Sequence, residues 1–393
     1  MSNRVLDNIV AIADDIRAQA DEAESIGRLP DEMAKGMKHA GVIRMLARKK
    51  YDGFESHPRE FAETVMKTAS IYGSAGWVAG IVGVHPWQLA MADPRVQEEV
   101  LGTDSDTWQA SPYMPGGIAL PVDGGYIMSG RWQFSSGTDH CDWIFLGAMV
   151  GDKEGKPLMP PQSLHVILPR ADYEIVPDSW DVVGLRGTGS KDIIVKEKFI
   201  PDYRVMDGNG VIDGTVAKNY GVTETLYKMP WSTMFPLGIT SATIGIAEGV
   251  LAAGIAYQRE RIGATGTAIK DDPYTLYSLG EAAAEIDAAR QQLLGNVDRI
   301  WDLVDAGKEV DFAQRAEGRR NQTRAAWRAV RAADEIFDRS GGNALRMDNP
   351  LQRFWRDAHA GLHHAIHVTN TVYHAAALSS LGPDPQGPLR VMI

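Results

Sequence analysis

The order of helical and strand-like segments is the feature that most constrains this chain. Over residues 5–101, apolar residues recur at spacings of three and four, which is typical of amphipathic helices. Over residues 107–201, short runs rich in β-branched and aromatic residues alternate with turn-forming residues, which predicts strands. Helical periodicity returns at residue 229 and continues into a last helix that begins near Pro350. A helical, β, helical order is therefore predicted.

This order predicts an α+β protein that is mostly α, with three domains and one connecting loop. A helical N-terminal domain is assigned to residues 1–105, a middle β domain to 106–205 and a C-terminal helical bundle to 229–393. Residues 206–228 are polar and contain a Gly-Asn-Gly sequence, so they are predicted to form the connecting loop. A loop of this length is usually mobile or functional.

Charge and composition exclude several classes of partner. The formal net charge of -11 argues against nucleic acid, because phosphate binding needs a dense basic face. The stretch 237–257 is long enough to cross a membrane, but it contains Glu248 and many small residues. A buried helix in a tightly packed bundle explains this stretch better than a membrane span does.

Cysteine usage and the N-terminus indicate a cytoplasmic protein. Cys141 is the single cysteine, so no disulfide can form within the chain. Residues 1–7 are polar and charged and lack the apolar core of a signal peptide.

Motifs in the β zone and the second helical zone resemble those of the acyl-CoA dehydrogenase superfamily. The matching segments are GRWQFSSG at 130–137, GLRGTGSKDIIVKEKFIP at 184–201 and SGGNALRMDNPLQRFWRDA at 340–358. With the order of the zones, the resemblance covers nearly the whole chain. It implies the acyl-CoA dehydrogenase-like fold, in which a helical N-terminal domain, a middle β-sandwich and a C-terminal four-helix bundle together hold a flavin.

The sequence departs from true dehydrogenases at the residue that decides their chemistry. Those enzymes remove a proton beside a thioester with a glutamate on one of two bundle helices. The last glutamate here is Glu335, the terminal stretch 359–378 has no carboxylate, and neither does the other usual position at 229–236. Without a base there is no proton abstraction. A dehydrogenase is therefore disfavoured, and the vacant glutamate position is the single feature that favours a protein that binds without catalysis.

Histidines stand in place of the glutamate, and their surroundings resemble a different branch of the superfamily. The segments VGVHPWQLA at 82–90, FSSGTDHCDW at 134–143, VVGLRGTGS at 182–190 and QRFWRDAHAG at 352–361 are similar to flavin-dependent phenol hydroxylases of this fold. That family includes the p-hydroxyphenylacetate hydroxylase oxygenases. It also includes, with closer similarity, the monooxygenase that acts on the phenolic seco-steroid of cholesterol catabolism.

The resemblance implies a two-component enzyme with defined chemical needs. Reduced FMN, with FAD as the alternative, comes from a separate flavin reductase, and dioxygen adds at the flavin C4a carbon. The terminal oxygen of this hydroperoxide passes to the ortho carbon of a phenol. A hydroxyl must hydrogen-bond the flavin N5–H to prevent release of hydrogen peroxide. A base must deprotonate the phenol, and histidine is the natural base near neutral pH.

Two adjacent serines compete for the role of N5 partner. Side chains alternate along a strand, so only one of Ser135 and Ser136 is expected to face the flavin. Counting from Ser136 to the other pocket residues of the family gives Ser111 and His85, which favours Ser136. The dehydrogenase alignment favours Ser135. His85 directly precedes a proline, so it is expected at a helix end, where it faces the pocket as a catalytic residue and substrate contact. A buried structural histidine is the alternative.

The resemblance places His364 first as the catalytic base. If residues 359–378 form one helix, His359, His363 and His367 share one stripe and His364 lies about 100° away. A polar helix face at a subunit contact is the plainer interpretation of the stripe. Histidines at this spacing can also chelate a metal, but no HExxH motif or nearby acidic partner supports a metal site. The predicted substrate contacts are His85, Ser111, His364, His367 and Trp143.

Ser111 is predicted as a cofactor contact as well, and the remaining predicted cofactor contacts fall in two groups. In the GLRGTGS segment, Arg186, Thr188 and Ser190 are expected to border the flavin. GLRGTG lies between predicted strands and opens no helix, so it is not a dinucleotide fingerprint. Arg261 matches the superfamily arginine that reaches the cofactor phosphate of a neighbouring subunit, and Gly341 and Gly342 match the Gly-Gly turn.

Assembly and substrate follow from the same resemblance. A homotetramer, a dimer of dimers, is expected because bundle helices of neighbouring subunits complete each flavin site in this fold. The substrate is a small aromatic molecule, and which phenol it is stays open. An indole, a sulfur heterocycle or a polyketide acted on by the same machinery is the alternative. The stretch 367–387 departs most from the seco-steroid enzyme.

Overall fold

The computed structural model describes residues 3–263, 266–382, 385–390 and 393. The predicted order of helices, strands and helices is confirmed. The N-terminal part is helical throughout and packs around α5 and α6. Its helices are α1 (Arg4–Ala11), α2 (Ala13–Ala18), α3 (Ala20–Ile26), α4 (Asp31–Ala40), α5 (Pro58–Ile71), α6 (Gly73–Leu89) and α7 (Pro94–Leu101).

The middle part is a mixed sheet whose strands are joined by hydrogen bonds in one path, β6-β7-β3-β2-β4-β5-β8, with β1 paired to β4. The pairs β1/β4 and β2/β4 are parallel and the others are antiparallel. The strands are β1 (Gln109–Ala110), β2 (Pro115–Val122), β3 (Gly125–Ser135), β4 (Trp143–Val150), β5 (Ser163–Pro169), β6 (Glu174–Ile175), β7 (Lys191–Pro201) and β8 (Val205–Asp207).

The segment predicted as a connecting loop, 206–228, is largely helical. It contains α8 (Gly208–Asp213), α9 (Thr215–Asn219) and α10 (Thr225–Lys228). The Asp207 carboxylate caps α8 by accepting from the Gly210 N–H at 3.0 Å. Glu224 forms an ion pair with Arg48 at 2.7 Å, which ties the segment to the N-terminal part. The polar residues that suggested a loop therefore serve as caps and ion pairs.

The C-terminal part forms the helical bundle. Asp272 and Asn349 each cap a helix whose first residue is proline, a position that proline favours because its missing N–H would have no partner there. The helices are α11 (Trp231–Met234), α12 (Leu237–Glu260), α13 (Pro273–Asp305), α14 (Phe312–Asp338), α15 (Pro350–Leu362) and α16 (Thr369–Leu381).

Helix α12 lies at the centre of the bundle because its small residues allow close packing. It contacts α5, α6, α13, α14 and α15. A Cβ atom on Gly245 would lie 2.2 Å from the Met66 carbonyl oxygen, and one on Gly249 would lie 2.5 Å from the Phe354 ring. Among the described residues, this is the helix long and apolar enough to cross a membrane by length and composition, and most of its apolar window is buried.

The terminal histidine stretch is not one helix, which corrects the prediction of a single stripe. Helix α15 ends at Leu362, a single 3-10 turn covers Ala365–His367, and α16 begins at Thr369. At the break, the buried Arg319 guanidinium donates to the Ile366 carbonyl oxygen at 2.7 Å, and the Trp327 indole N–H donates to the His367 carbonyl oxygen at 2.9 Å. Both bonds hold the 3-10 turn against α14.

Candidate functional site

Helix α6 positions the candidate site. Its Trp77 and His85 are eight residues apart, which places them about 12 Å apart along the helix axis. Gly80, between them, lies against Gly238 of α12, where a Cβ atom would come within 2.5 Å of the Gly238 carbonyl oxygen. The two helices therefore meet backbone to backbone, and this contact fixes the depth of α6 against the bundle.

His85 lies inside α6 and not at a helix end, which corrects the expectation drawn from the following proline. Pro86 is accommodated within the helix, which continues to Leu89. The His85 ring is buried, with Nε2 2.5 Å from the Ser111 hydroxyl and Nδ1 3.4 Å from the Tyr113 hydroxyl. Burial, with a smaller contribution from the nearby His165, lowers the pKa of His85 to about 3. The ring is therefore neutral at physiological pH.

Ser136 belongs to a chain of hydroxyl groups whose hydrogen directions can be assigned. Thr188 donates to the Leu185 carbonyl oxygen at 2.8 Å, so its Oγ1 must accept from Ser190 at 2.6 Å. Ser190 can then only accept from Ser136 at 2.8 Å. The Trp77 indole N–H donates to the Ser136 oxygen at 3.2 Å. A hydroxyl has one hydrogen and two lone pairs, so Ser136 keeps one lone pair for a further donor.

Both serines of the pair are buried, so strand alternation alone does not separate them. A bulge between Trp132 and Ser135 puts one extra residue in β3, and Phe134 there has a positive φ of 63°. Phe134 is exposed as a result, whereas Ser135 and Ser136 both face the interior. The Ser135 hydroxyl has no hydrogen-bond partner in the described part of the chain. Ser136 lies one residue beyond the end of the strand.

His364 lies beside Trp77, with a distance of 5.9 Å between ring centroids, and Trp77 therefore links His364 to Ser136. The His364 Nδ1 atom accepts a long hydrogen bond of 3.3 Å from the Ile366 N–H. The neutral ring in this arrangement carries its hydrogen on Nε2. Burial among protein groups, together with the Arg319 charge, lowers the pKa of His364 to about 4.

The other histidines of the stretch have structural partners. His367 donates from Nδ1 to the Gly361 carbonyl oxygen at 2.9 Å, so its Nε2 accepts from the Thr240 hydroxyl at 3.3 Å. His359 lies 2.7 Å from the Asp334 carboxylate. His363 and His374 are exposed. Within the described ranges, no group of three or more His, Cys, Asp and Glu residues is placed to hold a metal.

Three other predicted site residues have partners within the protein. The Arg186 guanidinium donates to the Val182 carbonyl oxygen at 2.8 Å and forms an ion pair with Asp181 at 3.2 Å. Trp143 lies at the start of β4, and the Arg204 guanidinium carbon is 5.1 Å from the centroid of its ring. Ser111 directly follows β1 and bonds His85. Of these three, only Ser111 has a described contact with another residue of the candidate site.

Arg261 and the glycine turn are close together but far from Ser136 along the bundle. Arg261 donates to the Arg339 carbonyl oxygen at 2.6 Å, and a Cβ atom on Gly341 would lie 2.3 Å from its guanidinium. Gly341, with a φ of +68°, is followed by Gly342, which has open space where a Cβ would lie. Arg261 ends α12, 18 residues after Thr243, which is about 27 Å along the helix. Thr243 lies against Gly361, beside Trp77.

Several residues that shape the site were not predicted from the sequence. Trp77, Gln88 and Tyr113 carry no motif of their own, and their partners in the site are distant in sequence. Asp357 of the Arg-Asp pair in α15 accepts from the Leu185 N–H at 2.6 Å, which holds the loop that carries Thr188 and Ser190. Leu185 has a positive φ of 56°, a strained value for leucine, so the loop depends on this bond.

The hydroxyl chain fits a reduced flavin. Ser136 offers a lone pair, and an N–H such as that at flavin N5 would fill it. The Ser135 Oγ and the Trp231 Nε1 are buried without a hydrogen-bond partner in the described residues, so further polar contacts remain to be made there. Buried polar atoms without partners are rare in proteins and need an explanation such as a bound group.

Comparisons with known proteins decide the family. The chain is 68% identical over 393 residues, 100% of both chains, to the pigment production hydroxylase of Rhodococcus erythropolis. It is 42% identical over 370 residues, 94% of this chain and 92% of the other, to the oxygenase subunit HsaA of a Mycobacterium tuberculosis flavin-dependent monooxygenase. The crystal structure of HsaA from that organism covers 99% of both chains at a TM-score of 0.92 and 40% identity.

The chain belongs to the flavin-dependent monooxygenases of the acyl-CoA dehydrogenase fold. Residues 237–369 also match the family described as "Acyl-CoA dehydrogenase, C-terminal domain". Within that region, the buried Asp357 is held by the Leu185 N–H, and burial, followed by the nearby Glu24 charge, raises the pKa of its carboxyl group. The similarity to flavin-dependent phenol hydroxylases is confirmed, and the enzyme uses a reduced flavin.

Proposed function

We propose that this monooxygenase is the oxygenase component of a two-component system that hydroxylates a phenolic ring at the ortho position. The carrying observation is the Ser136 hydroxyl, whose hydrogen is committed to Ser190 while one lone pair stays available. An oxygen that can only accept a further hydrogen bond suits an N–H donor of reduced flavin. Similarity over the full chain length to hydroxylases and flavin-dependent oxygenase subunits supports the same function.

On the flavin side, residues of the β domain and α6 act together. Reduced flavin, when bound, activates dioxygen and supplies the oxygen atom that enters the substrate. Ser136 accepts the N5 hydrogen and holds it in place, while Ser190 and Thr188 keep the Ser136 hydroxyl turned toward the loop. Trp77 donates to the same oxygen and closes the site on the side of α6.

On the substrate side, Ser111 and His85 bind the phenolic hydroxyl, and His364 lies across Trp77 from Ser136. We propose His364 as the general base. To accept a proton at Nε2, its ring must carry the other hydrogen on Nδ1, which breaks the 3.3 Å contact with Ile366. The change gives up that long contact and leaves the Ile366 N–H without this acceptor. His367, whose two nitrogens both have partners, holds the turn and does not act as a base.

The setting of the enzyme follows from the same proposal. A separate NAD(P)H-dependent flavin reductase supplies the reduced flavin, which we take to be FMN. A homotetramer would bring Arg261, Gly341 and Gly342 of one subunit to a flavin held mainly by another, because these residues lie too far along α12 to reach Ser136 of their own chain. A cytoplasmic location agrees with the single, buried Cys141.

Aerobic turnover with NADH, a generic flavin reductase and a panel of phenols tests the function. We expect a product heavier by one oxygen atom, labelled when ¹⁸O₂ is supplied, and faster formation with FMN than with FAD. Indole and dibenzothiophene in the same panel test the alternative substrates. Oxygen transfer to those compounds but to no phenol would overturn the proposed substrate class, and faster turnover with FAD would overturn the choice of FMN.

A further inference from the structure

A buried polar cluster lies behind His85, on the side away from Ser111. It consists of Gln88 on α6, Tyr113 before β2 and His165 on β5. The Tyr113 hydroxyl is 2.5 Å from the Gln88 Oε1, and the Gln88 Nε2 is 2.8 Å from the His165 Nδ1. Gln88 and His165 are almost fully buried, and burial lowers the pKa of His165 to about 4. These groups are therefore neutral, and each must find its hydrogen-bond partner within the cluster.

The donors and acceptors of this cluster can be assigned from Gln88 outward. An amide nitrogen only donates and an amide oxygen only accepts. The His165 Nδ1 therefore accepts from Gln88, and the single Tyr113 hydrogen goes to the Gln88 oxygen. The Met206 sulfur, an acceptor 4.0 Å from the Gln88 Nε2, favours this amide orientation because the opposite one would turn the oxygen toward the sulfur.

Hydrogen bonds connect Tyr113 to Ser111 through the His85 ring. With its hydrogen used, the Tyr113 oxygen can only accept, so the long contact of 3.4 Å to the His85 Nδ1 is attractive only when Nδ1 carries the imidazole hydrogen. The His85 Nε2 then has a lone pair, and the Ser111 hydroxyl at 2.5 Å must donate to it. The Ser111 oxygen is left with lone pairs only. The far end of the cluster thus determines what Ser111 can bind.

We propose that Gln88 and Tyr113 are positioning residues that hold neutral His85 in the Nδ1–H tautomer and so make Ser111 an acceptor for the hydrogen of a neutral phenol. The inference rests on the proposed function, because it assigns the substrate hydroxyl to Ser111. This arrangement also makes the site specific for the neutral form of the phenol. A neutral phenol donates to Ser111, whereas a phenolate would place a negative oxygen against lone pairs.

The tautomer is measured first, without flavin or substrate. In ¹⁵N-histidine-labelled full-length protein, solid-state NMR should show the His85 signals as protonated Nδ1 and unprotonated Nε2, assigned by their loss in His85→Gln. Protonated Nε2 on His85 would overturn the proposal, because Ser111 would then be a donor. This result does not depend on turnover. Failure of the proposed function would instead appear as no product from any phenol with the tautomer intact.

Variants test which residues set the tautomer. Gln88→Met removes both amide groups and Tyr113→Phe removes the acceptor for Nδ1, so each should give His85 a mixture of tautomers. Each should also raise KM for the phenol by about three- to tenfold, the effect of one neutral hydrogen bond. Gln88→Glu still accepts from Tyr113 and should restore the Nδ1–H tautomer. If Gln88→Met and Tyr113→Phe both keep the parent tautomer and KM, the proposal is wrong.

A matched control separates positioning from general stability. Tyr173, another buried tyrosine of the β domain, donates to the Cys141 carbonyl oxygen at 3.3 Å and lies outside the cluster. Tyr173→Phe should leave both the His85 spectrum and KM unchanged. Binding of a nitrophenol across its own pKa adds a second measurement. The parent protein should bind the neutral form at least about tenfold more tightly, and a preference for the anion would contradict the assignment of Ser111 as acceptor.

Discussion

Removal of the Ser136 hydroxyl gives the sharpest test of the proposed flavin contact. In Ser136→Ala, the N5–H would lose its acceptor inside a buried site. An unsatisfied buried donor costs about 1–3 kcal/mol, which corresponds to a change of about 5- to 150-fold in a ratio of rates. We expect the ratio of hydrogen peroxide to hydroxylated product to rise by such a factor. The measurement is peroxide and product per reduced flavin consumed, with a phenol at saturation.

Two neighbouring substitutions make the result interpretable. Ser135→Ala removes a buried hydroxyl that lies outside the hydrogen-bond chain of Ser136, Ser190 and Thr188, so it should change the ratio far less than Ser136→Ala does. Trp77→Phe keeps an aromatic ring but removes the N–H donor to Ser136, so it should raise the ratio by less than Ser136→Ala does. Uncoupling by Ser135→Ala with none by Ser136→Ala would transfer the N5 contact to Ser135. Full coupling in both serine variants would refute the reasoning from the hydroxyl chain.

Three other outcomes are expected. His364→Ala should slow hydroxylation by about 100-fold in stopped-flow measurements. The loss of rate should shrink at alkaline pH, because the phenol then ionises unaided. A loss of rate that is independent of pH would instead identify the His364 Nε2–H as a hydrogen-bond donor. Sedimentation should give a homotetramer, and an active monomer would contradict the shared flavin site. Gly80→Ala should lower the free energy of unfolding by about 1–3 kcal/mol because it overpacks the contact with Gly238. Gly295→Ala is the control: its Cβ would lie in open space, so it should raise the free energy of unfolding by up to about 1 kcal/mol.

The sequence predicted the fold well because periodicity and motifs are local signals. Helices, strands and the start of α15 at Pro350 were all visible in this way. The break after Leu362 was not, because the turn there is held by contacts distant in sequence, such as that of Arg319, which lies 47 residues before the Ile366 carbonyl to which it donates. His85 was placed at a helix end because proline usually stops a helix, and tertiary packing overrode that tendency.

The residues of the candidate site were predicted in part, whereas the directions of their hydrogen bonds were not. Ser136, His85 and Ser111 lie in recognisable segments, and the structure connects His85 to Ser111 directly. The direction of each hydrogen bond could not be predicted, because it depends on acceptors such as the Leu185 carbonyl and the Gln88 amide. The Leu185 carbonyl accepts from Thr188 in a loop that Asp357 holds from 172 residues away. Gln88 meets His165 and Met206, which are 77 and 118 residues away along the chain, only in the folded protein.

The break between α15 and α16 divides the apolar interior into two units of unequal size. Phe312, Ala316, Val372 and Ala375 form a second cluster with Ile393, separate from the main core. Helix α16 therefore buries its apolar face almost entirely against the beginning of α14. Substitutions in this second cluster are therefore expected to loosen the outer end of the bundle first and to leave the hydroxyl chain at Ser136 in place.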